Sequence, residues 1–142
     1  LIVDGQDITD RIRTDEISAA ASTVSQYPIV RAYVHEIEMK VSQGSVIMDG
    51  RDIGTVVLPD ADFKFFITAS DTVRANRRVE QLGLDASDYE SVLSAIRKRD
   101  EQDRTRAEAP LTKAPDAILI STDNATVEES VAEILTHMRG VK

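Results

Sequence analysis

The spacing of apolar and polar positions changes several times along the chain, and each change predicts an element. The opening LIVDGQDIT alternates about an Asp4-Gly5 pair and predicts a short strand, a tight turn and a return strand. An Ala-rich segment from Thr14 to Ser25, begun by Thr-Asp-Glu, predicts a helix, and Pro28 opens a second one that runs to about Val41. The apolar run SVIMDG, closed by Asp49-Gly50, and the β-prone run DFKFFITAS predict two strands. Residues 71–82 and 88–104 have helical period and composition, and Gly83 separates them. After a loop holding Pro110 and Pro115, AILIST predicts a further strand, and the Thr-Val-Glu-Glu start at Thr126 predicts a capped terminal helix.

Strands alternating with helices from residue 45 onward predict an α/β domain with a parallel sheet and crossover helices. Residues 1–43, a hairpin plus two helices, form a candidate small α+β unit ahead of a core over 44–142. Phe63, Phe65, Phe66, Ile118 and Ile120 are the simplest core candidates. There is no internal repeat and no low-complexity segment.

Composition narrows the chemistry. At 142 residues, 42% hydrophobic and 30% charged, the chain has the size of one ordinary globular domain. It has no cysteine, which removes disulfides and thiolate metal sites, and its two histidines, His35 and His137, lie far apart. A formal net charge of −8 opposes a general nucleic-acid or membrane surface, because polyanion binding needs a basic field. No apolar run reaches the roughly 18 residues of a membrane span, and the start has no signal-peptide layout, so a cytoplasmic location is the default expectation.

Against that acidic background, RKRDEQDRTR over residues 97–106 carries five cations and three anions. Arg99, Asp103 and Arg106 are spaced four and then three apart and would share a helix face. Such a face is either a solvated ion-pair ladder or a clamp in which guanidiniums hold phosphate oxygens. The second candidate is DGRDIGT, 49–55, just after a predicted strand, where ligands of α/β sheets bind. Its two glycines permit close backbone approach or positive φ, and Arg51 and Asp52 are polar groups at that edge.

IRTDEISAAASTVSQYPIVR, DGRDIGTVVLPDA, RRVEQLG, RKRDEQDRTRAEAPL and DAILISTDNATVEE, in that order, resemble bacterial cytidylate kinases across essentially the whole chain. The resemblance implies a nucleoside monophosphate kinase variant of the P-loop fold, transferring the ATP γ-phosphoryl group to CMP or dCMP. Residues 1–43 then resemble the enlarged CMP-binding insert, and about 97–115 the lid.

Carried over residue by residue, the resemblance assigns Ser22 and Arg31 to the cytosine and Asp52 to recognition of the base. A carboxylate can accept from the cytosine 4-amino group, where uracil offers only an acceptor. Arg51 resembles a cation beside the acceptor phosphate, Arg99 and Asp103 the lid pair near phosphate and sugar, and Arg106 the second lid guanidinium. Arg51, Arg99 and Arg106 are thus the expected catalytic cations. Arg97, Lys98 and Arg104 fall off the shared face and are expected to be solvated.

One departure is large. No glycine is followed by lysine, so G-x-x-x-x-G-K-[ST] is absent from these residues. The resemblance therefore implies a chain without the first strand and P-loop. Such a chain would be inactive alone and would hold neither ATP nor Mg²⁺ tightly. A separate amino-terminal segment or a strand-swapped second copy would be its partner. The alternatives are a stand-alone pyrimidine-nucleotide or regulatory module, and a UMP/CMP kinase.

Overall fold

The computed structural model describes residues 1–140, apart from the side chains of Arg13 and Asp15. The chain divides into two compact units, Leu1–Ile47 and a second that begins at Met48.

The first unit opens on a hairpin of β1 (Ile2–Val3) and β2 (Gln6–Asp7), antiparallel with Ile2 opposite Asp7 and Val3 opposite Gln6. Its turn needs two consecutive residues at positive φ, and Asp4 (49°) and Gly5 (76°) supply them, as an Asp-Gly pair does at least cost. Helix α1 (Asp15–Val24) starts where the Thr14 hydroxyl accepts from the Ile17 amide. Helix α2 (Pro28–Val41) has Pro28 in its first turn, where a missing N–H costs nothing. Its last turn carries Lys40, the favourable sign for a helix C-terminus.

The second unit is α/β. Strands β3 (Phe65–Thr68) and β4 (Ile118–Ser121) pair in parallel, Phe65 beside Ile118 and Thr68 beside Ser121. Between them run α3 (Asp71–Leu82) and α4 (Tyr89–Thr105), the crossover that a parallel pair requires. The Ser70 hydroxyl caps α3, and Gly83, in the left-handed region, ends it. Helix α5 (Val127–Arg139) follows β4 behind a complete capping box. The Thr126 hydroxyl accepts from the Glu129 amide at 3.2 Å, and the Glu129 carboxylate accepts from the Thr126 amide at 2.8 Å.

The core is small. Ile120 is fully buried and Val57, Ala75, Leu93 and Ala114 are buried with it, while Phe63, Phe65, Phe66 and Ile118, expected in the core, are half-buried. Polar ties bind the strand ends: the Lys64 ammonium meets Asp116 at 2.7 Å, and Asp123 accepts from the Ser70 amide at 2.7 Å. Each tie holds its carboxyl below the usual range, Asp116 chiefly through the hydrogen bond from Lys64 and Asp123 chiefly through the Ser70 amide. No helix among the described residues is long and apolar enough to cross a membrane.

One predicted strand does not form. Residues 46–49 have no regular structure, and Ile47 is fully exposed. A strand is defined by the ladder to its neighbour, and β3 and β4 pair only with each other among the described residues. The run has a strand's composition, and no ladder partner for it occurs among the described residues.

Candidate functional site

The DGRD turn is shaped by the backbone that follows it. Ile53–Val57 form one π-helical turn, a rare geometry often found at functional sites. The Asp52 carbonyl accepts from the amides of Thr55, Val56 and Val57, and buried Val57 fixes the turn in the core. Neither glycine of DGRDIGT uses positive φ; the close-approach reading holds instead, since a Cβ on Gly50 would lie 2.8 Å from the Ile53 side chain. Arg51 and Asp52 are thereby held at the entrance to the turn, Asp52 buried and Arg51 half-exposed.

The other half of the site comes from α4. Its buried positions are Leu93, Asp100 and Asp103, a stripe that begins apolar and becomes acidic along the helix. Buried carboxylates require cationic or hydrogen-bonding partners, and each aspartate has them. Asp103 Oδ2 stands 3.0 Å from Arg51 Nε, and Asp103 Oδ1 stands 4.0 Å from Arg106 Nη1. Arg106 Nη2 in turn lies 3.7 Å from Asp52 Oδ1. Four residues from two distant stretches of sequence thus form one cluster of two guanidiniums and two carboxylates.

Arg106 reaches this cluster from outside the helix. It is the C-cap of α4 with an extended backbone, ψ 141°, so the expected single helical face stops at Asp103. The chain then doubles back: Ala109 takes a positive φ of 45°, its carbonyl accepts from Arg106 Nε at 2.6 Å, and the Leu111 amide donates to the Asp103 carbonyl at 2.7 Å. Pro110 has no amide to continue the helical ladder. The guanidinium is buried by this reversal, its side chain 11% exposed.

Hydrogen bonding in the cluster is incomplete. Asp103 Oδ2 and Arg106 Nη2 are buried and make no well-formed hydrogen bond. A guanidinium presents five donors in a planar fork, so Arg106 retains capacity for a further acceptor.

Arg99 is not brought to the cluster. It is exposed, and no carboxylate among the described residues pairs with it. The face expected to carry Arg99, Asp103 and Arg106 together is therefore split, because the helix buries Asp100 and Asp103 and leaves Arg99 toward solvent. Arg97 is mostly exposed yet donates from Nε to Asp71 at 2.5 Å, which holds the Asp71 carboxyl below its usual range. Arg104 is exposed, 3.9 Å from Asp100. Ser22 and Arg31 belong to the first unit, on α1 and α2: the Ser22 carbonyl accepts from the Ser25 hydroxyl at 2.9 Å, and Arg31 is half-buried.

Sequence reading alone missed the partner of Asp100. Arg74 on α3 donates from Nη1 and Nη2 to the two oxygens of Asp100 at 3.0 and 2.5 Å, a bidentate fork, and from Nε to the Ala69 carbonyl at 3.1 Å. The hydrogen bond to Asp100 raises the pKa of Arg74 above its ordinary value. The seven-residue spacing of Leu93 and Asp100 was the available signal, since it sets Asp100 on the buried stripe.

With this geometry in view, the comparisons are consistent with one another. The family model for cytidylate kinase matches residues 1–140. The chain is 42% identical over 144 residues to a cytidylate kinase of Neisseria gonorrhoeae, an overlap of 99% of this chain and 66% of the relative. It is 47% identical over 142 residues to that of Caldanaerobacter subterraneus subsp. tengcongensis, covering 98% and 63%. With that of Mycobacterium avium it shares 46% over 140 residues, covering 95% and 59%. The chain thus spans just under two thirds of the length of these relatives. Matched over nearly all of its own residues, it belongs to the cytidylate kinase family.

Proposed function

We propose that these residues form the CMP-binding and lid parts of an ATP:CMP phosphotransferase that makes CDP or dCDP. The observation that carries this reading is the cluster of half-exposed Arg51 with buried Asp52, Asp103 and Arg106, in which Arg106 Nη2 lacks a hydrogen-bond acceptor. Phosphoryl transfer asks a protein mainly to position the phosphates and to neutralise charge spread over their oxygens. Two guanidiniums oriented by buried carboxylates suit the acceptor phosphate, and no side-chain nucleophile is needed. In this reading Asp103 takes part in holding the sugar, Asp52 accepts from the cytosine amino group, and Ser22 and Arg31 supply the remaining base contacts from residues 1–43. Arg99, exposed on α4, joins the clamp when the lid over about 97–115 closes on the nucleotide.

The proposed site concerns the acceptor nucleotide, with ATP and Mg²⁺ belonging to the parent enzyme. No Gly-Lys pair occurs in the 142 residues, and among the described residues no three His, Cys, Asp or Glu side chains gather as metal ligands. The proposal leaves the first strand and the ATP phosphate loop to a segment other than these residues, with strand exchange between two copies as a further way to cover the sheet, and the chain alone inactive.

Calorimetric titration of the 142-residue chain tests the reading. CMP and dCMP should bind, UMP more weakly, and ATP weakly or not at all. Tight ATP binding without CMP binding contradicts it.

A further inference from the structure

The clamp residues are held in turn by a pair that the proposed chemistry does not use. Arg74 makes three hydrogen bonds to two elements: Nε to the carbonyl of Ala69, at the carboxyl end of β3, and the Nη fork to both oxygens of Asp100. Asp100 is buried on α4 one turn before Asp103, and residues three apart on a helix share a face. From Asp103 the structure continues directly into the cluster, through Arg51 and Arg106, and into the loop, through the bond from the Leu111 amide. Beyond Leu93 the buried residues of α4 are Asp100 and Asp103, so these charged contacts help to dock its carboxyl-terminal half.

We infer that Arg74 is a positioning residue for the acceptor-phosphate cluster: through Asp100 it fixes the turn of α4 that presents Asp103, and with it Arg51 and Arg106, against the carboxyl end of β3. This rests on the CMP reading of the cluster. The fork is specific to arginine. Lysine would keep the charge but offers no planar pair of donors, and cannot hold both Asp100 oxygens and the Ala69 carbonyl in one geometry. Arg104, 3.9 Å from Asp100 and exposed, makes no comparable contact.

The test compares the wild-type chain with Arg74→Ala, Arg74→Lys and Asp100→Asn by two measurements: amide hydrogen exchange and calorimetric titration with CMP. The Leu111 amide reports the docking of the loop on Asp103, and the Thr122 amide, bonded to the Thr68 carbonyl at 2.8 Å, reports the β3–β4 pair. The inference expects Leu111 to lose protection while Thr122 keeps it, with CMP affinity down by about 10-fold or more, the scale of one charge-assisted contact. Arg74→Lys should recover part of both. If Arg74→Ala fails to fold, the same pattern is expected of Arg74→Lys and Asp100→Asn. Equal loss at Leu111 and Thr122 in those two variants would make the pair a general stability element and overturn the inference, as would wild-type Leu111 protection and CMP affinity. A wild-type chain that binds no CMP overturns the nucleotide reading and the inference with it.

Discussion

Asp103 Oδ2 lies 3.0 Å from Arg51 Nε, joining the last turn of α4 to the DGRD turn. The carboxyl end of α4 and the DGRD turn are therefore linked by a charge pair. A charge pair can be exchanged for another anion without opening a core. On the proposed reading, a phosphate that competes for the same guanidinium would rearrange this contact as the lid closes.

The first prediction concerns Arg106. In an enzyme carrying these residues with a complete ATP site, Arg106→Ala should lower kcat by about 10- to 150-fold with a smaller change in nucleotide binding. Loss of one charge-assisted contact in the transition state costs about 1.5–3 kcal/mol. Steady-state kinetics checks it, and wild-type kcat removes Arg106 from the clamp.

Base choice is set, on this account, by Asp52. Asp52→Asn should reduce the ratio of kcat/KM for CMP over UMP, because an amide presents a donor as well as an acceptor. The variant should also melt at lower temperature, since Asp52 Oδ1 is one of the two carboxylate oxygens facing the buried Arg106. An unchanged ratio with intact rates returns Asp52 to a purely structural role.

Acid sensitivity follows from three aspartates. Asp71, Asp116 and Asp123 all have carboxyl pKa values below their ordinary value, through Arg97, Lys64 and the Ser70 amide respectively. A group whose folded pKa is depressed contributes stability that is present above the unfolded value, roughly 3.9 for Asp, and is lost as pH falls through the folded value. Melting temperature should therefore drop as pH is lowered below about 4. The combined Asp71→Asn, Asp116→Asn and Asp123→Asn variant should be less stable at neutral pH and show a flatter acid limb. Asp116 is exposed and Asp71 and Asp123 are partly so, and solvent screening keeps each contribution small.

The terminal helix offers a local test. Thr126→Ala removes the hydroxyl that caps α5 and should cost about 1 kcal/mol. Thermal denaturation should show it as a fall of a few degrees, and no change would mean that α5 is held by packing alone.

Much of this fold is legible in the sequence because its signals are local. Asp4-Gly5 fixes the hairpin, Thr14, Pro28 and Thr126 start helices, and Gly83 ends one, each through chemistry confined to a few residues. The features that escape such reading depend on partners remote in sequence. SVIM has a strand's composition but no ladder, since nothing pairs with it among the described residues. Arg106 leaves the helix because the loop to Ala109 turns back on it, which a periodicity taken over 97–106 cannot express. Asp100 is buried in a run of charges because Arg74, 26 residues away, meets it with a fork. Within the candidate site, the residues that converge are Arg51, Asp52, Asp103 and Arg106, the ones whose spacing and turn chemistry already marked them; Arg99 shares their motif and not their environment.

The central claim is that Arg51 and Arg106 receive the phosphate of a cytidine nucleotide, and the most direct measurement is NMR of the arginine Nε–H groups in the chain during titration with CMP and, separately, with cytidine. The account predicts that the Arg51 and Arg106 resonances shift with CMP and stay in place with cytidine, which lacks the phosphate, while Arg77, tied to Thr122 away from the cluster, moves with neither. Resonances of Arg51 and Arg106 that ignore CMP, or that respond equally to cytidine, would contradict it.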